Sequence, residues 1–404
     1  MDTKKRVLFV NESLTLAGGE KSLIALLSNL DPELYDIDLQ LFQYGRELDV
    51  LIPEYVNVLP AIPYTQFANQ SWAKNLLSIF SKTNFSYFKA KLGFSLAIRQ
   101  GKFNTSEIAQ RYWNHISSVI PNNKKKYDVV IAYAHNVPTF YVIEKTNARK
   151  KVAWVNVGLN FNGKNKDFQF DFYNFLDVIV PVSDVTSDHL KKLFPSLEPK
   201  FYTIYDMIDY QSISKMSKLH PVSFAEDKFN ILTVARLNLS QKGYDITLKA
   251  CKILKNKGVN FHWYAIGEGS YRQEMEVYIL ENNLEGHFTF LGTTPNPYPY
   301  FKAADLYVQT SRHEGFGLSI AEARLLNVPV VTTRFDTVFM QMVDGKNGLV
   351  TDLNAEAVAA AIIQIMNDQD LYNAIVNYLK QEPKINTKTV ARFDALMNEL
   401  LPDF

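Results

Sequence analysis

Short apolar runs, rich in β-branched and aromatic residues, recur along this chain, each followed by a stretch with helical periodicity. In the first half they fall at 7–10, 37–42, 128–133, 152–155 and 178–180, and in the second at 231–234, 262–266, 288–291, 306–309 and 330–332. Strands that are apolar on both faces belong to parallel sheets covered by helices on both sides. The pattern therefore predicts an α/β protein with two Rossmann-like arrays, and 404 residues suffice for two domains of about 200 each. A polar stretch between Tyr205 and Phe229 marks the change, separating 1–205 from 206–385. The closing segment, 386–404, is helical over 387–401.

Chemistry concentrates in residues 311–322, Ser-Arg-His-Glu-Gly-Phe-Gly-Leu-Ser-Ile-Ala-Glu, between the apolar run ending at Gln309 and a helical run at 319–326. The glycines lie at a strand-to-helix turn. Gly315 and Gly317, flanking Phe316, let backbone approach a ligand closely, and the amides of Leu318 and Ser319 point to a phosphate seat before the helix. Glu314 sits on the turn and Glu322 about one turn into the helix, so one carboxylate can meet a sugar and the other a ribose diol. A sugar nucleotide needs that combination.

Other segments carry weaker signals. Arg236 stands at the carboxyl end of the 231–234 strand, the ligand edge of an open parallel sheet, and Lys242 follows before the next helix. Two such cations can converge on one diphosphate, arginine as a fork and lysine as a point charge. Gly18 and Gly19 open a helix after the first strand, presenting amides to a phosphate or sugar; a tight βα turn is the alternative reading. Gly267 and Gly269 fail as a dinucleotide fingerprint because Arg272 occupies the third glycine position. Asp36 and Asp38 read as a solvated strand edge, and Asp368 and Asp370 as a helix-linking turn, so neither pair is assigned a metal. Ser183 and His189 lack a nucleophile elbow.

Composition narrows the partners. A net charge of +1 gives no bulk attraction for nucleic acid, and the single cysteine, Cys251, lies in a helical run as core packing. The apolar run at 7–10 is too short for a signal peptide core, and no apolar stretch approaches a membrane span, so a cytoplasmic protein, soluble or peripheral, is expected. Segment 55–106 breaks the α/β pattern. It contains no Asp or Glu while carrying Lys74, Lys82, Lys89, Lys91, Arg99 and Lys102 together with Trp72, Phe80, Phe85, Tyr87, Phe88, Phe94 and Phe103. That suits an interfacial helix on an anionic membrane, or a helical insertion whose aromatics are core.

The Glu-x7-Glu segment, with Ala-Ala-Asp-Leu-Tyr-Val before it and Asn-Val-Pro-Val-Val-Thr-Thr and Asp-Gly-Lys-Asn-Gly-Leu-Val after it, resembles the signature of retaining glycosyltransferases of the GT-B fold, specifically glycosyltransferase family 4, as found in bacterial surface-polysaccharide enzymes. The resemblance implies two Rossmann-like domains facing a cleft, an acceptor-binding first domain, a nucleotide-sugar-binding second domain, and a last helix crossing back to the first. It implies a nucleoside-diphosphate sugar as donor, a UDP-sugar favoured, with no cofactor and no metal, and a lipid-linked or glycan acceptor. By resemblance Glu314, Arg236 and Lys242 are catalytic; Gly18, Gly19, Gly267, Leu291, Gly315, Phe316, Gly317, Leu318, Ser319 and Glu322 bind the donor; and His135 and Asn156 are candidate acceptor or sugar contacts. Three positions depart from the family: Asn156 replaces a frequent histidine, Gln341 a frequent glutamate, and Asp206-Met207 an Asn-Pro pair. A GT-B epimerase would need titratable groups beside the sugar, which Asn156 disfavours. A non-catalytic partner subunit would be expected to lose a motif, and none is lost.

Overall fold

The computed structural model describes residues 4–15, 17–78, 80–99, 101, 103–156, 164–384 and 387–403; positions 79, 100 and 102 of the acid-free segment and 386 and 404 of the closing segment lie outside them. The chain forms two compact units, Met1–Met207 with Thr387–Phe404, and Ile208–Asn386.

In unit 1 the strands are β1 (Lys5–Asn11), β2 (Tyr35–Leu41), β3 (Asn57–Val58), β4 (Lys126–Ala132), β5 (Asn147–Val155) and β6 (Val178–Pro181). They form one parallel sheet of order β3-β2-β1-β4-β5-β6. Because side chains alternate along a strand, β1 sends Val7 and Phe9 into one core and Leu8 and Val10 into the other, and both cores are sealed by helices. The helix Thr387–Leu400 closes the first core with Phe393, Leu396, Met397 and Leu400, positions that recur at helical spacing. Phe393 lies 6.1 Å from Phe9 and 5.9 Å from Tyr35 between ring centroids, and the Tyr35 hydroxyl donates to Asp394 at 2.7 Å. Burying four such side chains contributes about 2 kcal/mol each relative to exposure, which explains why the chain returns to this unit.

Segment 55–106 is largely helical, as Pro63–Ala68, Trp72–Leu77 and Lys82–Arg99, followed by Thr105–Ile116 with an Asn104/Glu107 capping box. One expectation is overturned here. Asp38 is fully buried in the second position of the sheet, between β3 and β1, and accepts from Tyr127 at 2.6 Å, Asn57 at 2.8 Å and Lys125 at 2.9 Å. It is a satisfied internal carboxylate, held below the usual range by those hydrogen bonds against the opposing effect of burial.

Unit 2 repeats the architecture with β7 (Phe229–Val234), β8 (Phe261–Ile266), β9 (Phe288–Gly292), β10 (Leu306–Gln309), β11 (Val330–Thr333) and β12 (Gly348–Thr351), in the parallel order β12-β11-β10-β7-β8-β9. The apolar-run pattern misses β3 and β12, two and four residues long at sheet edges. Cys251 is fully buried in the helix Tyr244–Asn256, and burial pushes its thiol up to about 12.

Candidate active site

Ligands of open parallel sheets collect beyond the carboxyl ends of the strands, where the strand order reverses. In unit 2 that point lies between β7 and β10. The segments leaving those two strands carry Arg236 and Lys242 on one side and residues 311–319 on the other.

Arg236 is held in the loop that leaves β7. The amides on both sides of it are used, Ala235 donating to the Ile266 carbonyl at 3.0 Å and Leu237 to the Glu268 carbonyl at 3.1 Å. The guanidinium is exposed and pairs with no carboxylate among the described residues. Lys242 ends the short helix Leu239–Lys242. Its Nζ lies 2.6 and 2.8 Å from the two oxygens of Glu314, with side-chain exposures of 20% and 8%. The sequence reading gives these two residues separate partners, diphosphate and sugar; the structure joins them directly.

Glu314 is held from several directions. Its Oε1 also accepts from Gln309 Nε2 at 2.7 Å and Ser311 Oγ at 2.6 Å, its carbonyl accepts from Thr337 at 3.1 Å, and Gln309 is oriented by the Tyr307 hydroxyl at 2.7 Å. Oε2, engaged by Lys242 alone, keeps more accepting capacity. The two loops are locked together further out: Arg312 forms a fork on Asp245 with both contacts at 2.8 Å, Thr310 Oγ1 donates to the Lys242 and Gly243 carbonyls, and the Arg312 amide donates to the Gln241 carbonyl at 2.8 Å. Arg312 holds the Asp245 carboxyl below the usual range.

Gly317 caps the helix Leu318–Leu325 in a left-handed conformation, φ 84°, with no side-chain cap. A glycine is favoured there because L side chains resist that region, and the amides of Leu318 and Ser319 are left to a ligand. Gln341 steadies the turn. Its Nε2 donates to the carbonyls of Phe316 and Gly317, its Oε1 accepts from Arg324 at 3.4 Å, and Arg324 binds both oxygens of Glu382 at 3.0 Å. Glu322 is 2% exposed and accepts from the Tyr298 hydroxyl at 3.1 Å. Burial and that carboxylate push the Tyr298 hydroxyl well above its ordinary range. Leu291, at the end of β9, is 36% exposed beside Phe290, over which Arg272 sits 4.6 Å from the ring centroid.

Unit 1 gathers its own candidates at the corresponding edge of its sheet, beyond β1, β4 and β5. Gly18 and Gly19 begin the helix Gly18–Asn29, which also lacks a side-chain cap. Asn156 Nδ2 donates to the Tyr133 carbonyl at 3.0 Å and lies against Gly19, where a Cβ would come within 2.6 Å of it. His135, two residues beyond Tyr133, is pushed down to about 4 by burial, so its imidazole is neutral at ordinary pH. His135 Nδ1 and Asn156 Oδ1 are buried without a hydrogen-bond partner among the described residues. Gly19 and Asn156 are thus brought into contact, and His135 follows the strand end that fixes Asn156.

The sequence reading missed Gln309, Ser311, the Arg312–Asp245 fork and the anchoring role of Gln341. The one legible signal was Gln309, a polar residue closing an apolar strand. Among the described residues no group of three or more His, Cys, Asp and Glu is placed to hold a metal, and no helix is long and apolar enough to cross a membrane.

Residues 216–382 match the family Glycosyl transferases group 1. The chain is similar to N-acetylgalactosamine-N,N'-diacetylbacillosaminyl-diphospho-undecaprenol 4-alpha-N-acetylgalactosaminyltransferase of Campylobacter jejuni, 26% identical over 277 residues, 68% of this chain and 73% of that one. It is 25% identical over 167 residues to an uncharacterized glycosyltransferase of Methanocaldococcus jannaschii, a match that takes in 40% of this chain and 41% of the relative. The chain thus spans about two fifths of the length of such curated relatives. Among solved structures, Anabaena HepE in complex with UDP and glucose superposes with a TM-score of 0.68 at 19% identity, covering 99% of this chain and 100% of that one. Residues 216–382 thus match the family Glycosyl transferases group 1, and the chain's two parallel six-stranded sheets have the GT-B fold of those solved structures.

Proposed function

We propose that this protein transfers a sugar from a nucleoside-diphosphate sugar, a UDP-sugar favoured, to an acceptor hydroxyl with retention at the anomeric carbon and without a metal. The observation that carries the reading is the set gathered at the β7/β10 switch point: the exposed Arg236, the Lys242–Glu314 pair and the uncapped amides of Leu318 and Ser319. Cations and helix amides suit a departing diphosphate, and preorganised groups of this kind are worth about 3 to 4 kcal/mol each at a developing charge. The bond from the anomeric carbon to the diphosphate breaks toward these groups. The acceptor oxygen then bonds to the same face, and its proton passes to the leaving phosphate oxygen. Glu314, through Oε2, holds sugar hydroxyls and supports the oxocarbenium-like centre, while Glu322 meets the ribose. In unit 1, His135 and Asn156 accept hydrogen bonds from hydroxyls, and Gly18 and Gly19 offer backbone.

The acceptor is a lipid-linked glycan in bacterial surface-polysaccharide synthesis, handled at the cytoplasmic face of the membrane. The Campylobacter jejuni relative, whose name specifies a diphospho-undecaprenol acceptor, supports this. The test is incubation of the full chain with a panel of sugar nucleotides, with and without lipid-linked acceptor, in EDTA. Acceptor-dependent release of nucleoside diphosphate, with the anomeric configuration of the product kept by NMR, is the expected result. Interconversion of the sugar without acceptor would replace transfer by epimerisation, no turnover would favour a non-catalytic role, and loss that a divalent metal restores would overturn the metal-free mechanism.

A further inference from the structure

The helix Lys82–Arg99 packs on unit 1 along one side only. Tyr87, Ala90 and Phe94, three and four residues apart, face inward: Tyr87 lies against Tyr64 and Phe67, Ala90 is buried, and Phe94 meets the Tyr112 ring at 5.0 Å. At 3.6 residues per turn, Phe85, Leu92 and Leu96, seven and four residues apart, form a stripe on the opposite side. They are 50%, 40% and 50% exposed. Lys82 and Lys89 flank the stripe on one side and Arg99 on the other, all exposed. The preceding helix and turn add Leu76, Leu77 and Phe80, exposed by 56%, 76% and 92%.

We propose that this face is a docking surface for an anionic lipid bilayer, with Phe85, Leu92 and Leu96 in the acyl boundary and Lys82, Lys89 and Arg99 on the headgroups. Charge decides the occupant. Segment 55–106 has no acidic residue, so a second copy seated face to face would set cations against cations. An anionic leaflet satisfies the cations while accepting the apolar stripe, and lysine stems reach headgroups from a helix lying flat. The inference deepens the proposed lipid-linked acceptor, whose membrane it would hold against unit 1; binding itself can be measured without turnover.

The experiment is flotation of the full chain with phosphatidylcholine vesicles, with and without phosphatidylglycerol, alongside UDP binding by calorimetry. Wild type should float with the anionic vesicles at low salt and progressively less as salt rises. A surface cation near an anionic leaflet multiplies partitioning about fivefold, so Lys82→Gln/Lys89→Gln/Arg99→Gln should reduce binding at least tenfold, roughly, after screening. Phe85→Ser/Leu92→Ser/Leu96→Ser should reduce it comparably. Both variants alter exposed residues and should keep the wild-type circular dichroism and UDP affinity. A wild type that stays out of the anionic vesicles, a cation variant that binds as wild type, or a dimer that the serine variant turns into monomer would each overturn the proposal. Failed flotation with intact UDP binding would leave the proposed donor site standing; loss of UDP binding in the wild type would count against that site instead.

Discussion

Replacing Glu314 by glutamine should separate nucleotide binding from turnover, because Glu314 and the diphosphate compete for Lys242. The pair is made by contacts of 2.6 and 2.8 Å with side chains 20% and 8% exposed, between the surface and fully buried regimes. Exposed pairs are worth about 0 to 1 kcal/mol, and breaking a buried one costs about 3 to 5, so loosening this pair costs about 2. A diphosphate that recruits Lys242 bears that cost and also meets the negative charge of Glu314. In Glu314→Gln both penalties fall, and the amide can still accept from Ser311 and Lys242. Affinity for UDP, read by calorimetry, should therefore tighten about tenfold, a gain of about 1.4 kcal/mol, while turnover falls at least about a hundredfold through loss of the carboxylate at the reacting sugar. Lys242→Ala should weaken UDP and turnover together, and Glu314→Gln should tighten UDP less in that background than in wild type, because only the repulsion is then relieved. If Glu314→Gln weakened UDP as much as Lys242→Ala does, the carboxylate would be supporting the diphosphate site and the competition argument would be wrong.

Arg236→Ala should lower turnover at least about a hundredfold and weaken UDP with circular dichroism unchanged, since the side chain is exposed and pairs with nothing among the described residues; near-normal turnover would remove it from the diphosphate site. Glu322→Gln should mainly weaken UDP, and an unchanged UDP affinity would cancel the ribose role. Gln341→Glu should weaken UDP about tenfold or more, because a carboxylate would face the Phe316 and Gly317 carbonyls with no proton to donate, at about 1 to 3 kcal/mol; wild-type affinity would show that the turn holds without it. Burial pushes the Asp206 carboxyl up to about 7, against the opposing Ser22 hydrogen bond. The folded chain then holds a proton that the unfolded chain has released, so this contribution is complete below the ordinary value of 3.8 and is lost as pH rises through 7. Asp206→Asn should therefore gain about 2 to 4 kcal/mol over wild type at pH 8 relative to pH 4, read as the difference between the two stability-pH curves, and parallel curves would contradict the assignment.

The twofold architecture was legible because strands buried on both faces cannot be amphipathic, and ten of them stand out against helical stretches. Strand β3 escapes because it has only two residues, both exposed, and β12 because its four residues, Gly-Leu-Val-Thr, open on a glycine that reads as a turn. Asp38 was misread on the same logic, since alternation with Ile37 and Leu39 suits a solvated face unless Tyr127 and Asn57 supply donors, and both come from strands that the local pattern does not pair with it. The turn at 314–319 was legible from its glycines. The fabric around Glu314 was not, because Lys242 is 72 positions away and nothing local announces that the two loops meet.

The glycines after β8 serve the scaffold first. Gly267 fits a donor-approach reading, yet a Cβ there would lie 2.0 Å from the Ala235 carbonyl oxygen, and one at Gly269 would lie 2.2 Å from that of Leu237. Those two carbonyls flank Arg236. The loop after β8 must press against the chain leaving β7 to make the hydrogen bonds that hold Arg236 outward, and only a residue without a side chain permits it. Both glycines are thus required by the scaffold whether or not a ligand touches them, so they are weak witnesses to binding. Arg236, exposed and without a carboxylate partner among the described residues, and the amides of Leu318 and Ser319, without a side-chain cap, have no such structural debt. The case for a diphosphate rests on them, and substitutions at Gly267 or Gly269 that abolish activity would report on the presentation of Arg236 before they reported on contact with the donor.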